Sequence, residues 1–145
     1  MPESSELKGS GLRVKDVMTK GVITGKADDT LPAIARIMAG KGISSLVIVN
    51  SADEAVGIIS SLDLVKAFAN RSTEQIKKTR AEEIMTHPVY DVSEEMMIEE
   101  VANIMVIKNI HRVVVSAKQG RSKNKKPAGI LSATDIVKVL TKLNE

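Results

Sequence analysis

Gly57-Ile58-Ile59-Ser60-Ser61-Leu62-Asp63-Leu64-Val65-Lys66 recurs as Gly129-Ile130-Leu131-Ser132-Ala133-Thr134-Asp135-Ile136-Val137-Lys138. Each copy sets a glycine, an apolar pair, a serine and an aspartate at one spacing, where an apolar strand gives way to a helical pattern. Upstream the likeness continues at an offset of 67. Arg13-Val14-Lys15-Asp16-Val17-Met18-Thr19 lies over Arg80-Ala81-Glu82-Glu83-Ile84-Met85-Thr86, and the register holds without a gap to Ile48 over Val115. The chain is therefore two homologous halves.

The stripe Leu31, Ile34, Ala35, Met38 has helical spacing, as does its counterpart Ile98, Val101, Ala102, Met105, so each predicts a helix packed on a sheet. Gly42 lies over Asn109, the two residue types that best tolerate the left-handed conformation closing a helix. Ser45–Val49 and Arg112–Ser116 then read as strands, with Val56–Ile59 and Ala128–Leu131 as second strands joined to them by turns. Asp28-Asp29 and Glu94-Glu95 read as acids at helix starts. The predicted fold class is α+β (mixed α/β), built from two β-α-β-β-α repeats.

The motif copies are 72 apart rather than 67, so the second half carries five extra residues between its second and third strands. Lys118, Arg121, Lys123, Lys125 and Lys126 fall in that loop with no acid among them. Removing five cations from the formal +3 leaves −2, so the positive charge belongs to the loop rather than to the fold.

At 145 residues and 43% hydrophobic content the chain suits one sizeable module, since a domain usually spans roughly 100–200 residues. With no cysteine it offers no disulfide framework and no thiolate ligand or nucleophile. The first residues are polar and unlike a secretory signal, and no stretch approaches the roughly 20 apolar residues of a membrane span; a soluble, cytoplasmic protein is the expectation. Phe68 and Tyr90 are the whole aromatic complement, a poor stacking platform for bases. His87 and His111 occupy non-equivalent places in the repeat, and the phosphate-loop pattern of nucleotide hydrolases is absent. The reading is binding rather than turnover, with no catalytic residue and no metal ligand assigned.

These residues resemble the paired cystathionine-β-synthase (CBS) domains, or Bateman module, over Leu12 to Leu143. The likeness rests on the doubled Gly-x-x-Ser-x-x-Asp, on the Val-Met-Thr and Ile-Met-Thr openings, and on Ile43–Val49 with Ile110–Val115. One departure is that family members often carry Pro-Val-Val-Asp in the middle strand, whereas Val47 and Val114 stand at the proline places and Asn50 and Ser116 at the end. The resemblance divides the chain into a polar tail (1–11), repeat 1 (12–72), a linker (73–79) and repeat 2 (80–143, with the basic loop 117–127). It implies two repeats related by a pseudo-two-fold axis and packed as one module, with clefts that hold AMP, ADP, ATP or S-adenosylmethionine.

Within such clefts a carboxylate early in a helix suits ribose hydroxyls, and a serine beside the helix's free N–H groups suits phosphate. By the resemblance, Asp63 and Asp135 hold ribose, Ser60 and Ser132 stand near phosphate, and Gly57 and Gly129 admit close neighbours. Family geometry groups Asp63 with Val89, Tyr90, His111 and Arg112, and Asp135 with Val22, Ile23, Thr24, Ser44 and Ser45. Arg112 with His111 would make the first cleft the phosphate-preferring one. The plainer readings are helix-start acids for the aspartates, an ion pair for Arg112, core packing for Tyr90 and for the recurring methionines 18, 38, 85 and 105, and a solvated hairpin tip for the basic loop. The functional expectation is a regulatory sensor that binds an adenosyl ligand, forms a homodimer and signals to a partner protein. A constitutive scaffold with degenerate clefts, or nucleic-acid binding through the basic loop, is the alternative.

Overall fold

The computed structural model describes residues 9–116 and 126–143. Their elements, in chain order, are α1 (Val14–Val17), β1 (Thr19–Lys20), β2 (Thr24–Lys26), α2 (Leu31–Lys41), β3 (Ser45–Val49), β4 (Ala55–Ser60), α3 (Ser61–Asn70), α4 (Thr73–Lys78), α5 (Ala81–Ile84), β5 (Asp91–Ser93), α6 (Ile98–Lys108), β6 (Arg112–Ser116), β7 (Pro127–Ser132) and α7 (Ala133–Leu140). The β-α-β-β-α unit occurs twice, as β2-α2-β3-β4-α3 and as β5-α6-β6-β7-α7, and the fold is mixed α+β.

The compact units do not coincide with the sequence repeats. Ile23–Val89 forms a continuous unit, while the segment up to Val22 joins the chain from Tyr90 onward in a discontinuous one. In the continuous unit β3 lies between β2, parallel to it with Thr24 opposite Val47, and β4, antiparallel to it with Ser45 opposite Ser60. A parallel pair needs a crossover, which α2 supplies. Thr30 precedes its first turn, Pro32 fits where an N–H has no helical partner anyway, and Gly42 ends it at φ 64°, ψ 36°. Ile34, Met38, Leu46, Ile48, Ile59 and Ala81 form the core. Each large aliphatic side chain there contributes about 1.5–3 kcal/mol by leaving water. Ala81 belongs to α5, ahead of the second repeat's β strands, and Thr86 bridges Ile58 through hydrogen bonds of 3.0 and 2.9 Å.

The discontinuous unit repeats this plan with one more strand, in the order β1-β7-β6-β5. Asp91 faces Val114 as Thr24 faces Val47, and Arg112 faces Ser132 as Ser45 faces Ser60, so the duplication extends to strand register. Asn109 closes α6 at φ 54°, ψ 50°. Val14, Met18, Val92, Ile98, Val101, Met105, Val113, Val115 and Leu131 fill the core. The N-terminal segment is fastened here by β1 pairing with β7, by Ile98 N–H to the Leu12 carbonyl (3.0 Å), and by Arg13 Nη1 to the Glu95 carbonyl (2.6 Å).

Several expectations need correction. Ala35 is exposed, and the half-buried Ile37 packs on the core beside the stripe. Asp28-Asp29 and Glu94-Glu95 precede the helices rather than start them. Asp29 Oδ2 accepts from Lys26 N–H (2.9 Å) within a turn, and Glu95 pairs with Lys15 (3.1 Å). The second strands run to the motif serines, as Ala55–Ser60 and Pro127–Ser132. Residues 73–78, expected as linker, are helical, with Ser72 and Gln75 closing a reciprocal cap. Met18, Met38 and Met105 are buried in the cores, while Met85 is half-buried.

Candidate functional site

The recurring Ser-x-x-Asp is first of all a capping box. Ser60 Oγ accepts from Asp63 N–H at 3.2 Å and Asp63 Oδ2 accepts from Ser60 N–H at 2.8 Å; Ser132 and Asp135 repeat this at 3.2 and 2.9 Å. Two donors that a helix start leaves without partners are thereby satisfied in each copy. The box leaves chemistry over. Each serine hydroxyl accepts from the backbone and so keeps its own O–H to donate. Among the described residues neither aspartate's Oδ1 has a hydrogen-bond partner, and all four side chains are half-buried. A carboxylate oxygen, a hydroxyl donor and the positive end of a helix therefore converge at each box, a set suited to a diol and an anion.

The strand before each box completes its surroundings. Ser61 N–H bonds the Ser44 carbonyl, and Ala133 N–H bonds the His111 carbonyl, both at 2.9 Å. Directly opposed residues of an antiparallel pair place their side chains on one face, so Ser45 accompanies Ser60 and Arg112 accompanies Ser132. Within each unit Arg112 stands opposite Ser132 on the neighbouring strand, and Ser45 opposite Ser60. Arg112 is half-buried, His111 is exposed, and the described carboxylates give Arg112 no ion pair.

Gly57 and Gly129 face the chain itself. A Cβ on Gly57 would fall within 2.6 Å of Met85 Cγ, and one on Gly129 would run into the Thr19 carbonyl oxygen and lie 3.0 Å from Met18 Cε. The Val-Met-Thr and Ile-Met-Thr segments thus cover the motif glycines, each in its own unit, a role signalled in the sequence only by the methionines' shared register. Tyr90 is 37% exposed rather than core, with Lys108 Nζ 5.6 Å from its ring centroid. Its carbonyl accepts from Val114 N–H (2.9 Å), and the neighbouring Asp91 is hydrogen-bonded by Ser116 Oγ; sequence reading singled out none of these partners. Val22, Ile23 and Val89 are half-buried and Thr24 is exposed on β2. A surface depression of about 460 Å³ in the continuous unit, bordered by Lys26, Asp28, Asn50, Asp53 and Glu82, contains no expected site residue. Of the basic loop, Lys118, Arg121, Lys123 and Lys125 lie outside the described residues, and Lys126 is exposed.

Compared with known proteins, residues 14–70 and 81–142 match the CBS domain. The chain belongs to the CBS-domain family. The CBS domain pair of protein MJ0100, solved with 5′-methylthioadenosine and S-adenosyl-L-methionine, is 31% identical at a TM-score of 0.75, with 90% of this chain and 96% of that one covered. The CBS domain of a bacterial CNNM/CorC-family Mg2+ transporter shares the fold, at 18% identity and a TM-score of 0.78 over 96% of this chain and 94% of that one. Among curated relatives, an uncharacterized protein of Methanopyrus kandleri is 36% identical over 87% of this chain and 61% of its own length. L-aspartate semialdehyde sulfurtransferase of Methanocaldococcus jannaschii is 34% identical over 92% of this chain and 24% of its own length. The chain thus spans less than two thirds of either. No helix among the described residues is long and apolar enough to cross a membrane.

Proposed function

We propose that this CBS pair is a sensor of adenosyl compounds, of the AMP, ADP, ATP or S-adenosylmethionine class, that binds them at the Ser60–Asp63 and Ser132–Asp135 boxes and reports to a partner protein. The observation that carries the reading is the duplicated box with a carboxylate oxygen to spare, set in a fold 31% identical to a pair solved with two adenosyl ligands. A ribose diol supplies two donors to that oxygen, and the serine hydroxyl and helix start accommodate a polar or anionic tail. Binding redistributes the protein between conformations only as far as its affinities for them differ. That difference is what a partner reads.

The partner face is drawn from the helices after the motifs. Leu62, Val65 and Phe68 on α3 are 58%, 58% and 75% exposed, and Val137 and Leu140 on α7 repeat the exposed apolar pattern at the motif offset of 72. Exposed apolar side chains grouped on a helix in this way mark an interaction site. In our reading it joins two copies of the chain. A thermal-shift screen with AMP, ADP, ATP, S-adenosylmethionine and methylthioadenosine tests the ligand class. At 100 times its dissociation constant a ligand adds about 2.7 kcal/mol to stability, so at least one should raise Tm clearly; no shift with any would refute the reading.

A further inference from the structure

We infer that residues 12–20 form a releasable strap, hinged at Gly11 and Gly21, that stays seated on β7 when the Ser132–Asp135 box holds ligand and opens when the box is empty. The inference rests on the proposed adenosyl binding and adds the element that moves. The two opening segments are seated alike. Val14 N–H donates to the Met96 carbonyl (2.9 Å) and Lys15 N–H to the Glu94 carbonyl (3.0 Å); at the offset of 67, Ala81 N–H donates to the Asp29 carbonyl (2.8 Å) and Glu82 N–H to the Ala27 carbonyl (2.9 Å). Val14 and Ala81 are both fully buried. The ends of the segments differ. Gly11 and Gly21 stand at φ 76° and 77° with nothing within 4 Å of where a Cβ would be, whereas the residues matching them are Lys78 and Pro88.

A glycine reaches conformations closed to other residues, and one with open space around it turns without disturbing packing. Hinges are a few such positions at the ends of an element. Pro88 instead has its φ fixed by its ring. Lys78 ends α4, where Thr79 N–H bonds the Gln75 and Ile76 carbonyls and the Thr79 carbonyl accepts from Leu31 N–H (2.9 Å). Residues 80–86 therefore lack the pivots that flank the strap. The strap's polar ties, Ser10 N–H to Glu99 Oε2 and Lys15 Nζ to Glu95, are exposed and add little, so Val14 and Met18 carry its seating. Thr19 and Lys20 pair with Ile130 and Gly129 on β7, which runs on to Ser132, the cap of α7. With the strap away, β7 is an edge strand bonded on one side only, and its end at Ser132 loosens. A ligand that needs the box in order favours the seated state as far as its affinities for the two states differ.

The test is amide hydrogen exchange of the intact chain, read at Val14 and Met18 against their counterparts Ala81 and Met85, each donating to a backbone carbonyl at 2.8–3.0 Å. Without ligand, Val14 and Met18 should exchange at least about tenfold faster; equal or slower exchange would overturn the strap. AMP or S-adenosylmethionine at 100 times its dissociation constant should slow Val14 and Met18 roughly 10- to 100-fold, and Ala81 and Met85 less than about threefold. Asp135→Asn should remove that slowing. A bound ligand that slows all four amides alike, or leaves Val14 and Met18 unchanged, would overturn the coupling. Thr19→Cys/Ile130→Cys supplies a lock between facing residues in a chain with no other cysteine. Oxidised, it should bring Val14 and Met18 to the exchange of Ala81 and Met85 and cancel the extra ligand effect, and reduction should restore both; an extra ligand effect that persists in the lock would contradict the coupling. Should no adenosyl compound bind, the proposed function fails and the coupling with it, while the comparison without ligand still decides whether the strap opens.

Discussion

At the scale of single residues, the motif glycines separate two costs. Alanine at Gly57 presses on the Met85 side chain, whose outer atoms can rotate away while its Cβ, 2.9 Å from the added methyl, stays with the backbone. Alanine at Gly129 meets the Thr19 backbone, held in place by the pairing of β1 with β7. Gly129→Ala should therefore destabilise by roughly 1–3 kcal/mol and Gly57→Ala by less, as read from midpoints of chemical denaturation; the reverse order would mean that β1 gives way more easily than Met85. The sequence marked both glycines as special without showing what approaches them. A repeated glycine signals close contact of any kind, and the contacting methionine lies 28 positions after Gly57 but 111 before Gly129.

At the scale of elements, what repeats is what was legible. Both crossover helices, their left-handed caps and the middle strands follow from apolar spacing and from Gly42 over Asn109, because burial on one face dictates that spacing. The acid pairs were misplaced since a turn carboxylate and a helix-start carboxylate look alike until the turn is built; Asp29 satisfies Lys26 N–H one residue before the cap. The capping boxes carry a prediction of their own. Ser60→Ala and Ser132→Ala should each cost about 1 kcal/mol of stability, measurable by thermal denaturation without ligand; no loss would mean that the serines are kept for ligand alone. The N-terminal fastening is acid-sensitive. Burial opposes ionisation of Glu99, but hydrogen bonds, chiefly from Ser10 N–H at 2.6 Å, outweigh it and hold the carboxyl below its usual 4.5. A depressed carboxyl pKa stabilises the fold above the unfolded value, and that contribution disappears as pH falls through the folded one. Hydrogen exchange at Ser10 should accelerate below about pH 4.5 relative to neighbouring amides, and Glu99→Gln should abolish the acid step.

At the scale of the whole molecule, the repeats of the sequence and the units of the fold are out of phase, and only the former could be read. Arg80–Thr86 belongs to the second repeat by homology, yet Ala81 is buried in the core around Ile34 and Ile59, and Thr86 pairs with Ile58. Internal similarity records the duplication; packing decides which copy each opening segment completes. A fragment covering 23–89 should consequently retain a cooperative melting transition by circular dichroism, and a fragment covering 12–72 should not. A transition in 12–72 alone would show that the repeat folds without the Ala81 segment. The exposed apolar residues of α3 and of α7 belong to this scale too. Phe68→Glu should convert the proposed dimer to monomer in light scattering, whereas an unchanged mass would place any self-association elsewhere.

The central claim is that the duplicated box binds ligand as well as capping a helix, and one titration separates the two roles. Asparagine at positions 63 and 135 retains an oxygen to accept from Ser60 and Ser132 N–H while removing the charge that a ribose diol would meet. Calorimetric titration of the double variant Asp63→Asn/Asp135→Asn with S-adenosylmethionine and AMP, beside the parent chain, is therefore the most direct measurement. The expected result is micromolar binding to the parent, about −8 kcal/mol, and loss of that heat in a double variant whose melting without ligand is nearly unchanged. Binding to the double variant as tight as to the parent would contradict the claim and leave the boxes as helix caps.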